Sequence, residues 1–175
     1  MARNVEIKAR VRDAAALSAR AAALTDAGPE HIEQDDTFFA CAHGRLKLLR
    51  RFSAEHGHGH LIHYFRADVA GPRLSDFHIV PTDAPDALRE TLAAALGATG
   101  RVIKTRRLYI AGQTRIHVDA VQGLGDFVEL EVMLRDDQSE ADGTRIAHAW
   151  MTSLGIAEAD LLDVAYIDLL AATQR

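Results

Sequence analysis

The stretch NVEIKARVR, residues 4–12, alternates without a break. Val5, Ile7, Ala9 and Val11 are apolar; Asn4, Glu6, Lys8, Arg10 and Arg12 are polar or charged. A period of two belongs to a β-strand whose two faces meet different surroundings. The apolar face needs a cover. The other face sets a carboxylate, an ammonium and a guanidinium side by side. Such a face is either a wet sheet surface or the wall of a charged cavity.

The pattern returns along the chain. In DFVELEVML (126–134), Val128, Leu130 and Val132 oppose Phe127, Glu129, Glu131 and Met133. In TRIHVDAV (114–121), Ile116 and Val118 oppose Arg115, His117 and Asp119. In GRLKLLRR (44–51), Arg45 and Lys47 oppose Leu46 and Leu48. Lys104 and Arg106 share a side with Val102 and Leu108, and Tyr64 and Arg66 share one with His60 and Ile62. Strands are expected near 4–12, 33–41, 44–51, 60–68, 75–80, 101–110, 113–120 and 126–134.

Helical patterns fall between or after them. The first spans about 13–27, with Asp13 as N-cap and Gly28-Pro29 as its stop. The second spans about 83–96, capped by Thr82 or Asp83, with Pro85 in its first turn. The third runs over about 138–154 and closes at Gly155; the fourth covers about 158–172. Ala42-His43-Gly44 and Ala111-Gly112-Gln113 read as tight hairpin connections. Gly123-Leu124-Gly125 precedes a strand rather than a helix, so it reads as a turn and not as a dinucleotide loop. Ser53–Gly59 is polar and reads as a mobile loop.

The 175 residues suffice for one domain, expected over 1–175, with a sizeable core. A net charge of −5 gives the surface no general attraction for nucleic acid or anionic membrane. One cysteine, Cys41, excludes a disulfide framework and a Cys-rich zinc site. There is no signal-like start, and no apolar run reaches the roughly 18 residues that cross a bilayer. A cytoplasmic location is the expectation.

Eight mostly antiparallel strands with Ala/Leu-rich helices predict an α+β fold: an eight-stranded antiparallel closed β-barrel with helices packed outside. The helices need the apolar faces, so the charged faces turn inward. They carry eight bases (Lys8, Arg10, Arg45, Lys47, Arg66, Lys104, Arg106, Arg115) and four acids (Glu6, Asp119, Glu129, Glu131), a sum of +4 in a chain of −5. Like charges are not desolvated together cheaply, so such a lumen calls for a polyanion. Arginine forks and lysine point charges suit phosphate oxygens. The carboxylates would repel phosphate unless a hard divalent cation, Mg²⁺ or Mn²⁺, stood between them.

At these residues the chain resembles the CYTH superfamily of triphosphate tunnel enzymes, which includes class IV adenylate cyclases and thiamine triphosphatase-like proteins. NVEIK resembles its N-terminal ExExK signature. GRLKL, LIHYFRAD, KTRRLYI, RIHVDAV and GLGDFVELEV follow in the family's order, and VAYIDLL resembles its closing helix. The resemblance implies a tunnel binding triphosphate and divalent metal, with Glu6, Asp119, Glu129 and Glu131 serving the metal. Lys8, Arg45, Lys47, Arg66, Lys104 and Arg106 would hold phosphates, with Arg10 and Arg115 as further contacts. Dimers occur in the family, so a homodimer is one state to expect.

The chain also departs from that pattern. Asn4 stands where the signature has its first Glu, which puts a second metal site in question. Leu49 replaces a frequent arginine. Phe38 and Phe39 occupy the stretch where some triphosphatases carry a tyrosine that works with a lysine.

The expected reaction is hydrolysis of the terminal phosphate of an inorganic, nucleoside or thiamine triphosphate. Lys8 would assist the nucleophile and Glu6 would serve the catalytic metal. A class IV adenylate cyclase and a non-catalytic polyphosphate or nucleotide binding module are the alternatives. His56, His58, His60 and His63 lack the spacing of a defined metal site. His117, beside Asp119, reads as a partner of the site or a structural histidine. Trp150, Met151 and Tyr166 read as core, with tunnel contact a second reading for Tyr166.

Overall fold

The computed structural model describes residues 2–52 and 57–173. Eight strands form one closed antiparallel barrel in the order β1-β5-β4-β3-β2-β6-β7-β8. They are β1 (Ala2–Arg10), β2 (Ala27–Phe39), β3 (Arg45–Phe52), β4 (Gly57–Arg66), β5 (Arg73–Thr82), β6 (Ala98–Ala111), β7 (Thr114–Val121) and β8 (Gly125–Met133). The helices are α1 (Ala14–Leu24), α2 (Pro85–Leu96), α3 (Glu140–Leu154) and α4 (Tyr166–Thr173). Among the described residues, no helix is long and apolar enough to cross a membrane.

Alternation decides which way each strand faces. The outward residues Val5, Ile7, Ala9, Ile116, Val118, Val128, Leu130 and Val132 are all at most 1% exposed. They lie beneath Leu17 and Ala21 of α1 and Ala147, Met151 and Leu154 of α3, forming the main core outside the barrel wall. Trp150 packs against its edge. Burial of these side chains stabilises the fold by roughly 25 cal/mol per Å² of apolar surface removed from water. With the outer face spent in this way, the polar residues of β1, β7 and β8 face the lumen.

Asp13 caps α1 by accepting the Ala16 N–H at 2.9 Å. Ser139 and Asp142 form a capping box at α3, and left-handed Gly155 ends it. Both hairpins and the Gly123–Gly125 turn also occur where the sequence places them.

Four expectations are corrected. Helix α1 stops at Leu24, before Gly28-Pro29, because these residues already belong to β2. They form a cis peptide at a register shift against β6. At Gly28 (φ 121°) a Cβ would stand 2.8 Å from the Leu108 carbonyl oxygen, so the close approach of the two strands requires glycine. Helix α2 takes neither Thr82 nor Asp83 as its cap: Ala84 is the N-cap residue, and Thr82 Oγ1 accepts its N–H. The fourth helical segment splits into a short 3₁₀ turn (Glu158–Asp160) and α4. Leu161 bridges to Ala9 of β1, and the Leu162 N–H bonds the Lys8 carbonyl, which pulls the chain out of helix. Within Ser53–Gly59, residues 57–59 are strand, and 53–56, with His56, lie outside the described residues.

Candidate functional site

The register brings the charged residues of neighbouring strands together. Glu6 lies opposite Glu131, and Lys8 opposite Glu129. Glu129 lies opposite His117, and Asp119 opposite Arg106. Because cross-strand neighbours on one face are about 5 Å apart, four adjacent strands present one continuous ionic wall.

Lys8 Nζ lies 3.0 Å from Glu129 Oε1 and 3.6 Å above the Tyr166 ring. Burial pulls its pKa below 10.5, outweighing the attraction of Glu129. Arg106 grips Asp119 with two 2.6 Å hydrogen bonds and reaches Glu129 Oε2 at 2.6 Å. Lys104 stands 3.2 Å from Asp119, and the Tyr166 hydroxyl donates to the same carboxylate at 3.2 Å. Burial works to raise the Asp119 pKa, but Arg106 and Lys104 prevail and hold it at about 2. The structure therefore gives Asp119 to the chain's own cations and not to the free carboxylates.

Glu131 is in the opposite condition. Its contacts are long: Arg115 Nη1 and His117 Nδ1, each at 3.8 Å. Burial first, then repulsion by Glu6 and Glu129, raises its pKa despite Arg106. Glu131 and Glu129 form with His117 a group whose ligand atoms lie within 4.8 Å of one another. This group, with Glu6 across from Glu131, fits a divalent cation. Within it the Glu131 carboxylate is destabilised as an anion and lacks a close positive partner, the condition that a cation relieves.

The opposite wall is basic. Lys47 Nζ is 2.9 Å from Asp36 Oδ2, and Gln34 donates to both Asp36 oxygens. Arg66 reaches Glu6 at 2.7 Å. Arg73 bonds the carbonyls of Val69, Leu162 and Asp163. Arg66 Nε and Nη2 and Arg73 Nε and Nη2 are buried with no hydrogen-bond acceptor among the described residues. Arg66 Nη2 stands 3.6 Å from Asp68 and Arg73 Nε 3.6 Å from Glu6, too long for hydrogen bonds, so these permanently charged groups keep donor capacity unused.

Of the predicted residues, Glu6, Lys8, Lys47, Arg66, Lys104, Arg106, Asp119, Glu129 and Glu131 converge on the lumen. Arg45 is at one end, bound to Asp68 at 2.9 and 3.0 Å and to Asp168 of α4 at 3.0 Å. Arg10 is exposed at that end, 5.3 Å from the Phe127 ring centre. Arg115 is half exposed near Glu131. Asn4 and Leu49 are buried on the inward face.

Asp36 and Arg73 escaped the sequence reading. Asp36 shares its parity with Gln34 and Phe38, and Arg73 shares its parity with Ser75; that alternation was the available signal. Tyr166 is both core and lumen: it packs 4.9 Å from Phe127 and carries α4 over the end where β1 stops. At the other end a cavity of about 320 Å³ is lined by Glu30, Ile32, Arg51, His60 and Pro81, among others.

The family model for the CYTH domain matches residues 2–166. No curated protein sequence matches the chain. Among solved structures, the PH1012 protein from Pyrococcus horikoshii OT3 is 19% identical with a TM-score of 0.82, covering 95% of this chain and 98% of its own. A candidate adenylate cyclase from Vibrio parahaemolyticus is 19% identical with a TM-score of 0.79, covering 96% and 97%. A candidate adenylyl cyclase from Hippeastrum, described as revealing a dominant triphosphatase activity, is 14% identical with a TM-score of 0.65, covering 97% and 96%. At these identities the likeness is one of fold.

Proposed function

The chain belongs to the CYTH domain family, and from that premise we propose that it is a divalent-metal-dependent triphosphatase acting on a small triphosphate inside the barrel. The reading rests on one observation above all: on the two strands β4 and β5, the guanidinium nitrogens Nε and Nη2 of Arg66 and Arg73 are buried with no hydrogen-bond acceptor among the described residues. Phosphate oxygens are the acceptors that match a guanidinium fork. Lys47, Lys104 and Arg106 complete a basic lining around them.

Hydrolysis requires that water approach the terminal phosphorus in line as the bridging P–O bond breaks, with the leaving diphosphate taking the negative charge. Arg66, Arg73, Lys47 and Lys104 orient the chain of phosphates and absorb that charge, which is positioning and electrostatic work. Lys8 assists the nucleophile: its lowered pKa brings the neutral amine closer to neutral pH than an exposed lysine's. Glu131, Glu129 and Glu6 would hold Mg²⁺ or Mn²⁺, which when bound would neutralise phosphate oxygens and polarise the phosphoryl group. Asp119 fixes Arg106 and Lys104 rather than binding the metal.

Incubation with tripolyphosphate, thiamine triphosphate and ATP, each with Mg²⁺ or Mn²⁺, tests the reading. Metal-dependent release of phosphate is expected, and Glu131→Gln should lower it by about 100-fold or more. Cyclic AMP with pyrophosphate from ATP would make the chain a cyclase. Binding without turnover would make it a binding module.

A further inference from the structure

His117 is 4% exposed, and its Nδ1 finds no hydrogen-bond partner among the described residues. Nδ1 is turned toward two carboxylates, Glu129 Oε2 at 3.9 Å and Glu131 Oε1 at 3.8 Å. These separations are too long for hydrogen bonds. They are the spacing of ligand atoms that share one ion, since two donors about 2.1–2.2 Å from a common centre stand roughly 3–4.4 Å apart. His117 Nδ1, Glu131 Oε1 and Glu129 Oε2 thus face one point; Glu129 Oε2 also takes Arg106 at 2.6 Å, whereas Nδ1 has no hydrogen-bond partner among the described residues and Glu131 has only contacts of 3.8 Å.

From this geometry we infer that His117 is a nitrogen ligand of the ion held by Glu129 and Glu131, and that it tilts the site toward a first-row transition cation such as Mn²⁺ over Mg²⁺. The inference rests on the metal-dependent reading above. Its chemical ground is ligand type: Mg²⁺ prefers oxygen donors and retains its waters, whereas imidazole suits transition ions. Replacing the imidazole by an oxygen donor of similar reach removes that bias while leaving the carboxylates in place.

The test uses the full chain with Mn²⁺ alone as probe. Mn²⁺ binding is followed by loss of the free-ion electron paramagnetic resonance signal, and the bound ion is examined by electron spin echo for a directly coordinated ¹⁴N. The parent protein should show the coupling. His117→Gln and Glu131→Gln should each abolish it, and His117→Gln should lower the Mn²⁺-over-Mg²⁺ affinity ratio by about tenfold or more. His117→Asn replaces the glutamine variant if that one does not fold. Labelling the parent with ¹⁵N-histidine gives a readout free of any variant, because the coupling must move to the ¹⁵N frequency.

Mn²⁺ bound without nitrogen coupling would overturn the role of His117 and leave the metal reading intact. Coupling that survives in His117→Gln would assign it to another histidine, with the same two consequences. A parent that binds no Mn²⁺ would sink both.

Discussion

Asp119 illustrates how a residue's neighbours reassign it. The resemblance to the family implied a metal role for it, and in the structure both its oxygens accept hydrogen bonds from Arg106. Its pKa lies at about 2 against an ordinary 3.8. A depressed carboxyl contributes stability that is whole above pH 3.8 and is lost as pH falls through 2, here about 2 kcal/mol. Asp119→Asn leaves Arg106 buried beside a weaker acceptor, so it should be less stable at pH 6 by about 3 kcal/mol or more. Urea unfolding should show that gap closing by about 2 kcal/mol between pH 4 and pH 2, because only the parent titrates there. A gap that stays constant would mean that Asp119 carries no depressed pKa. Much of the site was legible at this scale. Glu6, Lys8, Glu129 and Glu131 fell on one face by parity alone, and parity is set by the strand itself. What parity could not supply was pairing across strands, which decides that Arg106 takes Asp119 and that Glu131 is left with long contacts. Asp36 was missed because Asp35 and Asp36 put a carboxylate on each face. Asp35 turns outward to Arg101 at 2.7 Å, and Asp36 turns inward to Lys47.

At the scale of elements, α3 shows how tightly the wall is covered. Gly143 sits within the helix where a Cβ would come 2.6 Å from Val5 Cγ2 and 2.7 Å from Leu134 Cδ2. Helix propensity alone would favour alanine by about 1 kcal/mol. The contact is with β1, the strand that carries Glu6 and Lys8, so overpacking there should outweigh propensity. Gly143→Ala is expected to destabilise by about 1–3 kcal/mol in urea unfolding, and pairing it with Val5→Ala should recover part of the loss. A stabilised single variant would show that α3 rides higher over β1 than this packing requires. Strands and capped helices were readable because their signals are local: alternation, Asp13, Ser139 and Gly155. The two larger misreadings had distant causes. Gly28-Pro29 looks like a helix stop until β6 is beside it, and 158–172 looks like one helix until Leu161 and Leu162 are drawn to β1.

For the whole molecule, the barrel separates charge by sign. The chain is −5 overall, yet its closed lumen gathers Lys8, Lys47, Arg66, Arg73, Lys104 and Arg106. With Arg10, Arg45 and Arg115 at the ends or exposed, these six bases face five acids (Glu6, Asp36, Asp119, Glu129 and Glu131), so the excess of +4 counted from sequence shrinks to +1 in the lumen. Asp36, Asp119, Glu129 and Glu6 balance most of the positive charge, while the Nε and Nη2 donors of Arg66 and Arg73 lack a hydrogen-bond acceptor among the described residues. Folding therefore confines positive charge that the unfolded chain would disperse, and a ligand that neutralises it binds only the folded form. Such a ligand stabilises by RT ln(1 + [L]/Kd), about 2.7 kcal/mol at a hundred times Kd. For a chain of this size, that is a rise of roughly 5–10 °C in Tm. Tripolyphosphate should produce it in a thermal unfolding scan without added metal, whereas sodium chloride at equal ionic strength should not, since screening does not place acceptors on buried nitrogens. Arg66→Gln should cut the tripolyphosphate shift to less than half while keeping a cooperative transition. Equal shifts from chloride and tripolyphosphate, or an undiminished shift in Arg66→Gln, would show that the polyanion acts at the surface and that the guanidinium groups of Arg66 and Arg73 do not bind it.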